Sequence, residues 1–330
     1  MVMIVGNGSL VMNQFLRLPA ISHSSEYERC FRDQVWETVA SEICRRNRIS
    51  YTRILRSALG ENIVFLVDKT FVIKIFAPFR NTYSREISAL RLAHGKSPVR
   101  TPTLICNGEI EGWFYLVATQ LAGSTLCNAW DSLAATDQFE IVSGLGLGLK
   151  QLHSWEVKLA ETESSNHLDW ETFIERQIVV SLERVRGMKQ DWKDSLQRFL
   201  SMNLSLLPIH YKRVLLHGDL NPGNFLVETE EGQWKIAGLV DFADSLCGFH
   251  EYDFITPAIQ MAFGNRRLQR ALLLSYGYNE RELDLHLRCR LMLLTILHES
   301  TLLQEAIQRI GPKAHELSLE KLEAEIWSFI

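Results

Sequence analysis

The sequence predicts an α+β protein in which a small β-rich part precedes a larger, mainly helical one. Three observations carry that prediction. Short runs rich in β-branched and aromatic residues, "NIVFLVD", "TFVIKIFAP" and "TPTLICNGEIEGWFYLVATQL", fill most of residues 62–121, the pattern of strands separated by turns. From Thr136 onward apolar residues recur mostly at helical spacing. One block, Val214 to Asp241, returns to a strand, loop, strand, turn, strand pattern.

Taken in order, residues 24–48 place Phe31, Val35, Val39 and Ile43 four apart and end in the polar run "CRRNRIS", which predicts one N-terminal helix. Two strands meet at Asp68-Lys69, a tight hairpin signal. "TYSREISALRLAHG" then sets Ile87, Leu90 and Ala93 on one helical face and stops at Gly95, a C-cap. Two more strands turn at Glu111-Gly112 before "AGSTL" breaks the pattern. A hinge between Leu121 and Ser124 divides the chain into a helical extension over 1–50, a β-rich domain over 51–122 and a helical domain over 123–330. In the last of these, helices are expected over Thr136–His153, Trp170–Gly187, Asp191–Leu206 and from Ile255 nearly to the end.

Composition removes several classes of function. The 330 residues are 46% hydrophobic with a formal net charge of -4, enough apolar material for one large or two moderate cores and no overall basic footprint for nucleic acid. Six cysteines lack any CxxC spacing and read as reduced thiols of a cytoplasmic protein. The first residues lack a basic n-region, and the apolar run "LMLLTIL" is too short to span a bilayer. No membrane partner is expected, and the oligomeric state is left open.

The stretch "VLLHGDLNPGNFLV", residues 214–227, packs polar groups into an apolar run broken by two Gly and a Pro. Asp219 and Asn224 stand five apart in a loop, and the strand after Asn224 returns through "EEGQ" to "IAGLVDFAD", so Asp241 ends the paired strand. Such a hairpin sets Asn224 beside Asp241 as hard oxygen ligands for Mg²⁺. Asp219 then stands next to the metal, able to receive a hydroxyl proton. Upstream, Lys74 lies in the apolar strand "FVIKIF", where a buried ammonium needs an anion, and Glu86, twelve residues on, is its natural partner. Taken singly, the two are an edge-strand Lys and a Glu favoured by a helix dipole.

These motifs resemble the aminoglycoside phosphotransferase family of the protein-kinase-like fold, with hygromycin phosphotransferase-like members closest, over roughly residues 50–300. Protein kinases carry H-R-D-x-x-x-x-N and D-F-G here; this chain has Gly218 in place of the Arg and Ala243 in place of the last Gly. The resemblance implies a bilobal fold, with residues 51–122 as the nucleotide-binding lobe and 123–330 as the lobe carrying the catalytic loop. It implies a Mg²⁺-dependent enzyme that moves the γ-phosphate of ATP or GTP to a small-molecule hydroxyl. In it Lys74 holds phosphates, Glu86 orients Lys74, and Ser57, Gly60 and Asn62 lie in a glycine-poor lid over the nucleotide. Eleven residues separate Asp241 from Asp253 and no A-P-E follows, which leaves no room for a peptide-docking segment and favours a small acceptor. The acceptor is expected to be aminoglycoside-like, consistent with antibiotic resistance. Its amines would be met by Asp169, Glu171, Glu251 and Glu299 from the helices after Trp170 and Ile255. The alternatives are a metabolic kinase of a sugar or a choline- or homoserine-like alcohol, and a pseudokinase that binds nucleotide only.

Three further features are read as structural. "GLGLGL", residues 144–149, lies in a helical pattern with Gly144 and Gly148 on one face for close packing. His217 orients the loop of Asp219 by hydrogen bonds. Asp253, where the family has a second acid four residues earlier and this chain has Phe249, is a buried acceptor bracing that loop.

Overall fold

A computed structural model of the chain describes residues 4–5, 17–57, 61–80, 82–127, 129–158, 170–185 and 190–330. It divides into two compact units, one of residues 1–94 and 101–122 and one of residues 95–100 and 123–330.

The first unit is built on a six-stranded antiparallel sheet in the order β1-β2-β3-β4-β6-β5. Its strands are β1 (Ile4–Val5), β2 (Arg53–Arg56), β3 (Ile63–Val67), β4 (Phe71–Ile75), β5 (Leu104–Ile110) and β6 (Trp113–Thr119). The β3–β4 turn takes Asp68 and Lys69 at φ 49° and 55°, and the β5–β6 turn takes Glu111 and Gly112 at φ 51° and 83°, the conformations that match the right-handed twist of a hairpin. One face of the sheet is apolar. Ile63, Phe65 and Val67 of β3 and Ile73 and Ile75 of β4 point to it and bury Trp36, Val39, Ala40, Ile43 and Cys44 of α2 (Val35–Arg46). The side chains of a strand alternate in face, so Lys74 lies on the opposite side of the sheet from Ile73 and Ile75.

The N-terminal helix expected over 24–48 is two helices, α1 (Ser24–Cys30) and α2. The break is local: Asp33 Oδ1 accepts the Val35 N–H at 3.1 Å, and a short acidic side chain that takes a backbone donor starts a new helix. The helix after the β3–β4 hairpin, α3 (Thr82–Ala93), runs to Gly95 at φ 68°.

The second unit is mainly helical: α4 (Ala135–Leu152), α5 (Trp170–Arg184), α6 (Gln190–Asn203), α7 (Ile255–Gln260), α8 (Arg266–Tyr276), α9 (Leu285–Ile296), α10 (Leu302–Ile310) and α11 (Leu319–Ile326). Two small antiparallel ladders complete it, β7 (Val214–Leu216) with β10 (Leu246–Gly248) and β8 (Phe225–Glu230) with β9 (Gln233–Leu239). The helical run after Ile255 is interrupted because Asn265, Asp284 and Ser318 each cap a new helix with a side-chain oxygen that accepts an N–H three residues on. The "GLGLGL" stretch does lie inside α4, but the close approach is made by Gly146, not by the Gly144 and Gly148 face. A Cβ on Gly146 would stand 2.4 Å from the Leu272 carbonyl oxygen of α8. Among the described residues no helix is long and apolar enough to cross a membrane, and all six cysteines are free.

Candidate active site

In the first unit, Lys74 Nζ donates to Glu86 Oε2 at 2.7 Å, with both side chains 7% exposed. β4 supplies the lysine between two strands and α3 supplies the glutamate from its second turn. Removing either partner from such a buried pair leaves an uncompensated charge, at a cost of about 3–5 kcal/mol. Of the expected lid, Gly60 lies outside the described residues. The Ser57 N–H is committed to the Val64 carbonyl at 2.8 Å, because the β2–β3 ladder continues past Arg56, so that amide is not available to a phosphate. Asn62 is buried, and among the described residues its Oδ1 has no hydrogen-bond partner.

In the second unit, β7 delivers the chain to a polar loop. Asp219 follows β7 and is half-buried. Its Oδ2 accepts from Asn221 Nδ2 at 2.8 Å and Asn224 Nδ2 at 3.1 Å, and Asn224 Nδ2 also reaches the Asp219 carbonyl at 2.8 Å. Both contacts of the Asn224 amide are to acceptors, so its nitrogen faces Asp219 and its carbonyl oxygen is turned elsewhere. Asn221 Oδ1 accepts the Gly223 N–H at 2.8 Å, an Asx turn that holds the loop. The Asn224 backbone carbonyl accepts the Val240 N–H at 2.9 Å, and Asp241 lies two residues beyond Leu239, which ends the β8–β9 pairing. Asp241 has φ 63°, a left-handed backbone that a non-glycine residue keeps only where its surroundings enforce it.

The loop is braced from below. Asp253, 2% exposed, accepts the His217 N–H on Oδ2 and the Gly218 N–H on Oδ1, each at 2.8 Å. His153 Nε2 meets the same Oδ2 at 3.1 Å. Burial alone would raise the Asp253 carboxyl, but the His153 hydrogen bond, the His153 and His217 rings and the Gly218 amide together hold it below the usual carboxylate range. His217 is fully buried and kept neutral by that burial. Its Nε2 donates to the Val240 carbonyl at 2.9 Å, and its ring tilts against Phe242 at 4.6 Å. His217, two residues before Asp219, thus ties the loop to the strand end that carries Asp241. Gly218 has φ 84°, and a Cβ there would lie 2.2 Å from the Asp244 carbonyl oxygen. An Arg in this position, as protein kinases have, does not fit this backbone.

The four acidic residues expected around the acceptor fare differently. Asp169 lies outside the described residues. Glu171 is exposed but engaged, with Arg213 at 3.0 Å and the Tyr211 hydroxyl at 2.8 Å. Glu251 is closed off, because Arg290 takes both its oxygens at 2.5 Å and the Tyr278 hydroxyl donates at 2.6 Å. A carboxylate buried on this helical unit needs its cation from the protein itself, so Glu251 offers nothing to a ligand. Glu299 sits in a turn whose backbone is anchored: its N–H donates to the Tyr252 hydroxyl at 2.9 Å, and Arg184 donates to the His298 and Glu299 carbonyls. His298 stacks on Tyr252 at 4.4 Å. Burial first and foremost pushes His298 down to about 3, partly offset by Asp253 and the Gly218 backbone.

The sequence reading missed Asn221 and His153. The first had a legible signal, Asn two before Gly across a Pro; the second, at the end of α4, had none.

A small antiparallel sheet with a buried Lys–Glu pair, and a larger helical unit with Asp219, Asn224 and Asp241 on one loop and hairpin, make up the protein-kinase-like fold of a phosphotransferase. Residues 54–286 match the model of the phosphotransferase enzyme family, APH, and the chain belongs to that family. Among solved structures, the chain is similar to the GDP complex of wild-type aminoglycoside 2'-phosphotransferase-IIIa (18% identity, TM-score 0.66, covering 89% of this chain and 99% of that one). It is also similar to the ternary complex of APH(2")-IIa with streptomycin and ATP (16% identity, TM-score 0.58, covering 86% and 97%). A thermostable mutant of aminoglycoside phosphotransferase APH(4)-Ia matches as well (16% identity, TM-score 0.56, covering 87% and 98%). At these identities the likeness is one of fold. No curated protein matches the chain.

Proposed function

We propose that the chain transfers the γ-phosphoryl group of ATP or GTP to a hydroxyl of an amine-bearing small molecule of aminoglycoside type, with Asp219 as the base. The observation that carries this reading is the loop itself: a half-buried carboxylate oriented by the amides of Asn221 and Asn224 on a backbone held by a second, buried aspartate. Asp219 accepts the proton of the acceptor hydroxyl as its oxygen bonds to the γ-phosphorus, and the bond to the β-phosphate oxygen breaks to leave the nucleoside diphosphate. Little covalent help is needed in such a transfer, so positioning dominates. The Lys74 ammonium, oriented by Glu86, neutralises phosphate charge. The Asn224 side-chain oxygen Oδ1 and the Asp241 carboxylate are hard donors that fit Mg²⁺, which when bound would screen the charge on the phosphates.

Solved structures of similar fold, named for complexes with GDP, ATP and streptomycin, support a nucleotide donor and an aminoglycoside-type acceptor. A second reading, a metabolic kinase of an amino alcohol or sugar, is favoured by the closure of Glu251 and the engagement of Glu171, which thin the acidic wall a polycation would want.

The deciding experiment offers purified protein ATP and GTP with Mg²⁺ and a panel of aminoglycosides, amino alcohols and neutral sugars. Diphosphate release and the mass of the product are followed. Phosphorylation of amine-bearing acceptors, with KM rising as salt shortens the Debye length from about 30 Å to about 8 Å while kcat holds, is the expected result. Transfer to neutral sugars alone would sink the cationic acceptor, and nucleotide binding without transfer to any of them would sink the kinase.

A further inference from the structure

The second unit holds a cavity of about 570 Å³ away from the loop of Asp219. Val214, the first residue of β7, lines it, whereas the loop leaves from the other end of that strand. The volume is that of a small-ligand site. Two ammonium groups open into it, from Lys150 at the end of α4 and from Lys212 just before β7. Lys212 Nζ donates to the carbonyls of His153 at 2.8 Å and Ser154 at 2.6 Å, so the amine is held in place by neutral acceptors. Among the described residues neither lysine has a carboxylate partner.

One carboxylate lies in the wall, that of Glu282, and it is held on its own turn: its Oε2 accepts the Asn279 N–H at 2.8 Å and the Asn279 Nδ2 at 2.6 Å. The rings of His153, His250, Tyr276 and Tyr278 form much of the remaining wall. His250 stacks parallel on Tyr276 at 5.2 Å, and its Nε2 meets the Tyr278 hydroxyl at 3.0 Å. The Tyr278 hydroxyl already donates to Glu251, so it accepts from a neutral imidazole. Burial, helped by His153, Arg290 and Lys212, holds His250 down to about 3.

Two ammonium groups without carboxylate partners, framed by aromatic rings in a cavity of this volume, match a dianion better than a single carboxylate, which one lysine would satisfy. We propose that this cavity is a binding site for a small organic phosphate, about the size of a sugar phosphate, with its phosphate group between Lys150 and Lys212. The site also borders the brace of the catalytic loop, since His153 is part of its wall and bonds Asp253.

The test is calorimetric titration of the full chain with glucose 6-phosphate, in the presence of saturating Mg²⁺ and ADP or GDP so that the nucleotide's own phosphate site is filled. Glucose serves as the neutral control. Lys150 is an exposed helix residue, so Lys150→Glu and Lys150→Arg are compatible with folding. Saturable binding to the wild type is expected, weakened at least about tenfold by Lys150→Glu and kept within about threefold by Lys150→Arg. Equal affinity in Lys150→Glu, equal binding of glucose, or no saturable binding to the wild type would each overturn the proposal. The nucleotide titration is run separately, so failure of the kinase reading shows there and not in the sugar phosphate isotherm.

Discussion

Asp219 and Asp253 belong to the same unit and touch the same short segment of backbone, yet their surroundings assign them opposite work. Asp253 is sealed: 2% exposed, it takes two backbone N–H groups and a histidine, and its neighbours hold it below the ordinary carboxylate range. Asp219 is half-buried, and its two identified side-chain donors are amides that also sit in the loop. A carboxylate whose oxygens are bonded to the frame is part of the frame. One aimed by neutral amides at a partly open surface is placed for a substrate. The pair teaches that an acid's role follows from the donors that hold it and where they come from, since the side chain is the same.

Exchanging each acid for its amide tests that contrast most strongly. Asp219→Asn is expected to lower kcat about a thousandfold, within the range for loss of a general base, while shifting the unfolding free energy by less than about 1 kcal/mol. Asp253→Asn is expected to do the reverse in kind, costing about 2–4 kcal/mol in urea unfolding because an amide cannot accept from two N–H groups and a histidine on both its atoms. If Asp253→Asn kept full stability, the brace would be an idle contact; if Asp219→Asn kept its turnover, the base assignment would fall.

Gly218→Ala probes the joint between the two acids. The residue's φ of 84° and the 2.2 Å approach to the Asp244 carbonyl oxygen leave no room for a methyl group, so a loss of about 2–3 kcal/mol is expected with reduced turnover. An alanine variant with the wild-type denaturation midpoint would show that the loop can shift freely.

A further test is one of pH. His217, His250 and His298 are buried and held neutral, the last two down to about 3. The folded state of these groups therefore takes up protons later than the unfolded state, whose histidines titrate near 6.5. The unfolded state binds the extra protons, so stability is full above about pH 6.5 and falls steadily as pH drops below it. Asp253, with a depressed folded value, adds its own loss only lower, below the ordinary carboxylate range. Unfolding midpoints between pH 8 and pH 5 measure the first part. A flat profile over that range would contradict the burial of these rings.

Much of the site was legible because its residues are close in sequence or set by strand period. Asn224 lies five residues after Asp219, and the loop between them is shaped by Pro222 and the Gly223 amide that Asn221 captures. Lys74 was legible because an ammonium in an apolar strand requires an anion, and α3 brings Glu86 to it. The partners of Glu171 and Glu251 were not legible, because an acid on a helix carries no mark of which arginine will reach it. Arg213 and Arg290, which take them, come from other parts of the chain.

By itself the sequence determined the strand-rich and helical halves, the hairpin turns and the run His217-Gly218-Asp219 through Asp241, since these depend on local backbone preference and on the alternation of apolar residues. Tertiary structure alone decided that Gly146 is the glycine at which α4 and α8 approach, that His153 supports Asp253 from the end of α4, and that Glu251 is spent on Arg290. The physical reason is that a buried polar group must find its partner wherever packing brings one, and packing joins residues whose separation along the chain carries no periodic signal.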